Sequence, residues 1–147
     1  MASSVVIKSY RPQVEARIMD NLEKGTSNAG MIVAREAKKN VTRPMPSGIL
    51  DHWWKDTGIL AGSIANEGGN GIFRIEKTAN EISVLVGTKV VYGFYLEVGA
   101  LRKDGSIVHY PWLFPAVESK RPEIIEAIKK GGGKVIDIEV VAGVWNK

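Results

Sequence analysis

The sequence predicts one α+β domain over residues 1–147, in which a long N-terminal helix and a C-terminal helix pack on a small, mainly antiparallel β-sheet. Apolar residues recur at helical spacing over about residues 14–41 and again over 113–128. Residues 72–77 and 81–87 have the pattern of two strands, and apolar and charged residues alternate over 136–140, which is typical of a strand with one solvent-exposed face. A chain of 147 residues can bury one core without disulfides, and its lack of cysteine excludes thiolate metal sites and cysteine nucleophiles.

The N-terminal helix is expected from Val14 to about Val41. Gly25 could divide it in two, because glycine in a helix interior costs about 1 kcal/mol relative to alanine. Pro44 and Pro46 end it. The apolar stripe of this helix consists of Ile18, Leu22, Thr26, Ala29, Val33 and Ala37.

The middle of the chain predicts strands. Residues 72–77 and 81–87 form two of them, and a further strand over 60–65 is expected to lead into a glycine-rich loop at 67–71. Residues 90–98 fit either a strand or a short helix, and the pattern leaves both open.

The end of the chain predicts a hairpin, a helix and a strand. The Asp104-Gly105 pair marks a hairpin turn between residues 101 and 110. In the C-terminal helix, Pro122 either kinks the helix or begins a new one. Residues 131–147 are expected to form a glycine hinge followed by a strand, because apolar and charged residues alternate over 136–140.

The charge pattern gives little support to a nucleic-acid groove. The net charge is +4, from 20 basic and 16 acidic residues, and no basic run is interleaved with aromatic residues. A basic nucleic-acid-binding module stays an alternative, for which DNA affinity should fall steeply with salt. The first residues lack the apolar stretch of a signal peptide, and no segment approaches a membrane span, so we expect a soluble, intracellular protein.

One short motif has a catalytic interpretation. Asp56, Thr57 and Gly58 spell the motif of dimeric aspartic proteases, in which two carboxylates share one proton. That motif normally follows an apolar strand, whereas here Lys55 precedes it. The lysine favours the other interpretation, in which Asp56 caps a turn in an exposed loop beside a permissive glycine. A protease that uses Asp56 stays an alternative, and Asp56→Asn would abolish peptide cleavage if it were correct.

Other catalytic and ligand-binding patterns are absent. His52 and His109 lack the spacing of metal ligands on one helix face. Residues 131–134 resemble a phosphate loop only superficially, because no serine or threonine follows Lys134. We therefore expect no enzyme, no cofactor, no metal and no catalytic residue.

Six aromatic residues lie within about two dozen positions in the second half of the chain. Core packing is the first explanation for most of them, and burial on assembly with a partner is the second. The sequence does not divide the two groups. They are Tyr92, Phe94, Tyr95, Tyr110, Trp112 and Phe114.

Five short segments follow one another along the chain: residues 37–41, 56–64, 86–88, 92–99 and 111–117. In this order they resemble the bacteriophage tail-component family of the Hong Kong 97 gene-ten type, whose members are neck or tail-completion proteins. The family pattern has a TG-x-L-x-x-SI segment, a strand ending in G-T, a YA-x-x-x-E-x-G helix and a P-x-x-x-P-A helix start. Together the segments span about residues 28–130. Gly93 stands where the family usually has alanine.

The resemblance implies a structural virion protein that joins the tail of a phage or prophage to the head-side connector. It implies a homo-oligomeric ring, other tail or connector proteins as partners, at most weak DNA contact, and no membrane. The expected location is the virion, and the host cytoplasm during assembly, where free subunits can stay monomeric until a template orders their loops. Glu97, near the end of the matched 92–99 helix, would oppose the helix dipole there. We expect it to be solvated or to have a partner: a lysine, an arginine or a backbone amide, in its own subunit or in a neighbour.

Overall fold

The computed structural model describes residues 2–10, 16–42, 60–66, 68–78, 81–101, 105 and 107–143. It contains three helices and six strands within these residues, together with a helical turn at 60–63. In chain order they are β1 (Ala2–Tyr10), α1 (Ala16–Thr42), β2 (Gly71–Lys77), β3 (Glu81–Thr88), α2 (Val91–Val98), β4 (Ala100–Leu101), β5 (Ile107–Val108), α3 (Phe114–Lys130) and β6 (Lys134–Gly143).

The main sheet has four strands in the order β2-β3-β1-β6, and every neighbouring pair is antiparallel. The N-terminal strand β1 therefore lies inside the sheet, where Val5 pairs with Val86 on one side and with Val140 on the other. The register between β1 and β6 shifts after Lys8, which marks a bulge. Strands β4 and β5 form a separate hairpin.

Helices α1 and α3 pack on one face of the sheet, as the α+β prediction requires. The core between the layers includes residues from β1, β3, α1 and α3, together with Leu96 of α2 and with Trp112 and Leu113 just before α3. Its members are fully or almost fully buried. The prediction of an N-terminal and a C-terminal helix on a small antiparallel sheet is confirmed. Representative core residues are Val5, Ile7, Val33, Ala37, Val84, Val86, Trp112, Val117, Ile124 and Ile128.

Helix α1 runs unbroken through Gly25, because this glycine lies where α1 crosses α3. A Cβ atom on Gly25 would stand 2.7 Å from the carbonyl oxygen of Ala127, and one on Gly131 would stand 2.6 Å from that of Asn21. The two helix backbones approach too closely for a side chain, so the cost of glycine in a helix is offset by tertiary packing. Residues 131–133 form a hydrogen-bonded turn, in which Gly132 has φ 84° and the Gly133 N–H donates to the carbonyl of Ile128.

Several local expectations have clear outcomes. The strands over 72–77 and 81–87 are confirmed as β2 and β3, and β4 and β5 confirm the hairpin around Gly105. Of the segment 90–98, which the pattern left open, residues 91–98 form helix α2, and Pro122 lies inside a continuous α3.

The expected strand over 60–65 is wrong. These residues form a helical turn, in which the Ser63 hydroxyl donates to the carbonyl of Leu60 at 2.7 Å. Ala65 then adopts φ 60°, which a strand cannot continue. No helix in the described part of the chain is long and apolar enough to cross a membrane.

Candidate interaction site at the α2–α3 junction

Helix α2 packs with its small residue Gly93 against the core. A Cβ atom on Gly93 would lie 2.7 Å from Leu60 Cδ1, and 3.2 Å from Thr88 Cγ2 and from a ring carbon of Trp112. This close approach explains why glycine is compatible with a helix here. The Trp112 indole N–H donates to the Gly93 carbonyl at 2.9 Å, which holds the buried ring against α2.

The carboxylate of Glu97 accepts three backbone hydrogen bonds from the start of α3. Its Oε2 accepts from the N–H groups of Trp112 at 2.7 Å and Leu113 at 2.9 Å, and its Oε1 accepts from that of Phe114 at 2.8 Å. Glu97 is buried, with 8% of its surface exposed. The first N–H groups of a helix have no partner inside the helix, so this side chain from α2 caps α3.

The cap settles which partner Glu97 has. Of the expected alternatives, the structure shows backbone amides of the same chain. The carboxylate is unfavourably placed near the C-terminal end of α2 but favourably placed at the N-terminal end of α3, where the helix dipole is positive. No side chain of α3 supplies a cap itself, because Leu113 occupies the N-cap position.

Further hydrogen bonds fix the junction on both sides. The side-chain amide of Asn40, near the end of α1, donates to the Trp112 carbonyl at 3.0 Å. The Tyr110 N–H donates to the Leu96 carbonyl at 3.0 Å, and the His109 Nε2 lies within hydrogen-bond distance, 3.1 Å, of the Glu97 carbonyl. The junction is therefore held by α1, α2 and the segment before α3 together.

The outer face of the junction is apolar and exposed. Val91, Tyr95 and Val98 recur at spacings of four and three on α2, and their exposed fractions are 47%, 41% and 47%. Phe114, whose N–H is held by Glu97, is 51% exposed. We call these four side chains the α2–α3 patch. At roughly half exposure they expose on the order of 300 Å² of apolar side chain in total, distributed over the two helices, and exposed apolar surface of this extent is often functional.

The structure divides the aromatic residues that the sequence grouped. Trp112 belongs to the core, Phe94 and Tyr110 are half-buried, and Tyr95 and Phe114 are exposed. The side chain of Tyr92 lies outside the described residues. Sequence reasoning grouped these residues but did not foresee their division, because helical spacing alone does not say which face of α2 meets the core.

Most residues of the catalytic interpretation fall outside the part of the chain that the structure describes. Asp56 and the rest of its motif, together with His52, lie outside the described residues. His109 is exposed, and its Nε2 lies 3.1 Å from the backbone carbonyl of Glu97. Among the described residues, no group of three histidine or acidic side chains could hold a metal ion.

Comparisons of the chain with protein families, with curated proteins and with solved structures find no match.

Proposed function

We propose that this chain is a structural virion protein of a tailed bacteriophage or prophage, a neck or tail-completion component that joins the tail to the head-side connector. The proposal rests on the ordered segments that resemble the tail-component family. Two of those segments, 92–99 and 111–117, contain the residues that meet in the α2–α3 junction. The observation that carries the proposal is the α2–α3 patch, an exposed apolar surface on that junction.

The chemistry of the patch favours a protein partner. Aromatic residues are enriched in protein interfaces, whereas charged residues are depleted in their centres. Each side of a standard interface buries about 800 Å², so the patch would supply its apolar centre and neighbouring residues its rim. The capped junction presents this surface on two hydrogen-bonded helices, which lowers the entropy lost on binding.

In this role the chain would form a closed ring in the virion through a head-to-tail interface. The other partners would be tail or connector proteins, with at most weak contact to the exiting DNA. The chemistry is assembly, and no bond is made or broken. The location would be the virion, reached from the host cytoplasm.

Two observations test the virion role itself. Genes that neighbour this one should encode portal, capsid or tail-tube proteins. In negative-stain images, virions produced without this chain should appear as tailless heads beside free tails. Normal tailed particles in the absence of the chain would overturn the proposal.

A matched pair of substitutions tests the surface. Tyr95→Glu places a charge in the α2–α3 patch, and Met31→Glu places one on α1 at a residue that is 49% exposed. Both proteins should fold, because both side chains are on the surface. Met31→Glu should restore tailed particles and Tyr95→Glu should not. Equal restoration by both would remove the α2–α3 patch from the proposal.

A further inference from the structure

Strand β2 forms one edge of the sheet, and the hydrogen bonds at its two ends show which of its backbone groups face outward. The Thr78 N–H donates to the Glu81 carbonyl at 2.8 Å, and the Lys89 N–H donates to the Asn70 carbonyl at 2.7 Å. Residues along an antiparallel strand alternate between facing the partner strand and facing away. The even-numbered residues of β2 therefore bond to β3, and the odd-numbered ones point their N–H and C=O groups away from it.

Three outward-facing residues have no backbone partner in the part of the chain that the structure describes. Gly71, the first odd-numbered residue, donates its N–H to the Asn66 carbonyl at 2.9 Å. Phe73, Ile75 and Lys77 follow, and β2 pairs only with β3 among the described strands. Among the described residues, three N–H and three C=O groups thus form an open edge, which is a template for another strand.

The side chains along this edge are self-complementary. In an antiparallel pair of two β2 strands with Ile75 on the two-fold axis, Arg74 of each copy stands directly opposite Glu76 of the other. Both side chains are exposed, at 45% and 67%, and they lie 4.0 Å apart within one chain. Opposite charges in direct cross-strand positions are stabilising. Phe73 would stand opposite Lys77, an arrangement that allows a cation–π contact.

The same charges disfavour the neighbouring registers. A shift by two residues in one direction sets Arg74 opposite Arg74, and a shift in the other direction sets Glu76 opposite Glu76. Like charges in direct cross-strand positions are destabilising. A shift by one residue would set the outward-facing, odd-numbered residues of one copy opposite the even-numbered residues of the other, whose N–H and C=O groups already bond to β3, so the two edges could not form hydrogen bonds. The edge therefore specifies one register for a second copy of itself.

A groove beside the edge has room for the side chains of the added strand. It lies between α1 and β2 and has a volume of about 490 Å³. An added strand would direct its Ile75 side chain toward the helix face of the sheet, where the Ile75 of the first copy lines this groove. The lining residues are Asp20, Glu23, Lys24, Ser27, Asn28 and Ile75.

We propose that two copies of this chain associate through antiparallel pairing of their β2 strands, with Ile75 on the two-fold axis, to form one continuous eight-stranded sheet. This proposal goes beyond the virion role and does not depend on it. It departs from the expectation that the free subunit is monomeric. It assigns Arg74 and Glu76 as the residues that determine the register and the choice of partner.

Charge reversal tests the pairing in solution. In sedimentation velocity on the full chain, the wild-type protein should dimerise, and Arg74→Glu should weaken association at least about tenfold, because two attractive cross-strand pairs become repulsive. The double variant Arg74→Glu/Glu76→Arg should restore dimerisation. Arg121→Glu, which reverses a charge of similar exposure (44%) on α3, should leave it unchanged. A monomeric wild-type protein, or a dimer insensitive to Arg74→Glu, would overturn the proposal.

Disulfide trapping tests the register, since the chain has no cysteine of its own. In the proposed register, Arg74 and the opposite Glu76 form a pair without backbone hydrogen bonds between them. The Cα atoms of such a pair lie about 4.5 Å apart, within disulfide range. An oxidised mixture of Arg74→Cys and Glu76→Cys proteins should give mixed disulfide dimers in higher yield than either protein alone. Equal yields would contradict the register. Assemblies of more than two copies that also form in Tyr95→Glu, in which the α2–α3 patch is disrupted, would instead indicate that β2 pairs with another edge, such as β6, and would also overturn the proposal.

Discussion

Replacing Glu97 should be among the most destabilising single changes at the α2–α3 junction. Glu97→Ala removes the acceptor of three N–H groups at the start of α3 and leaves buried donors without a partner. Each buried unsatisfied group costs about 1–3 kcal/mol, and the three share one carboxylate, so we expect a loss of about 4 kcal/mol. Small domains have about 5–15 kcal/mol of unfolding free energy in total.

Glu97→Gln separates the geometry of the cap from its charge. The amide oxygen can replace Oε2 and keep the bonds from Trp112 and Leu113, while the amide N–H₂ then faces the N–H of Phe114. One bond is lost and two donors oppose each other, so we expect a smaller loss of about 2 kcal/mol. The order of stability should be wild type, Glu97→Gln, then Glu97→Ala.

Urea denaturation followed by far-UV circular dichroism measures both changes, provided that the dependence on urea concentration is the same for all variants. Glu126→Gln, which neutralises an exposed carboxylate on α3, should behave like the wild type. A loss below about 1 kcal/mol for Glu97→Ala, or equal losses for the two Glu97 variants, would refute the capping argument.

Two further predictions concern α1. Gly25→Ala should destabilise the protein by about 1–2 kcal/mol, because the clash of the new Cβ with the Ala127 carbonyl outweighs the better helix propensity of alanine. Gly62→Ala should not destabilise it, because a Cβ added there would have nothing within 4 Å. Thermal unfolding of the two variants measures the difference. A hydrogen bond to the Glu23 side chain and the negative charge of Glu23 raise the pKa of Lys77 above its ordinary value of 10.5. This exposed pair therefore contributes stability below pH 10.5, and the contribution is lost as the pH rises through the pKa of Lys77 in the folded protein. The stability difference between wild type and Glu23→Gln, measured by urea denaturation against pH, should therefore disappear at high pH, and its persistence there would contradict the assignment.

The long helices and the β2–β3 hairpin could be predicted because their signals are local. In α1, the positions with helical spacing from Ala29 to Ala37 are the ones that the core buries. In β3, Ile82, Val84 and Val86 alternate with Glu81, Ser83 and Leu85, and the first three are fully buried. Such periodicity survives folding because each element buries one face against one layer.

Strand β1 could not be predicted, because its identity comes from pairing with residues far along the chain. A strand inside a sheet usually forms an apolar run, but Ser3 and Ser4 interrupt this one. Both serines are fully buried, and their hydroxyl groups have no hydrogen-bond partner among the described residues. Only the pairing with β3 and β6, more than seventy residues away, makes a strand of this segment.

The cap by Glu97 could be predicted only in part. The conflict between its charge and the end of α2 is visible in the sequence and indicates that a partner exists. The sequence does not show that this partner is the start of α3. The start of α3 reaches Glu97 because Trp112 packs against Gly93 and its indole N–H donates to the Gly93 carbonyl. This contact joins two elements whose relative placement no local pattern encodes.

Glu97 and Tyr95, two residues apart on α2, should affect assembly through different physical causes. Glu97→Ala should reduce tail joining only as far as it reduces the folded fraction, because the α2–α3 patch is intact in every folded molecule. Tyr95→Glu should abolish joining in a protein of wild-type stability, since it changes the contact surface itself. Joining assays at a series of temperatures, beside the folded fraction of each variant, separate these causes. If folded Glu97→Ala protein fails to join at low temperature, the carboxylate must also set the orientation in which α2 presents the patch.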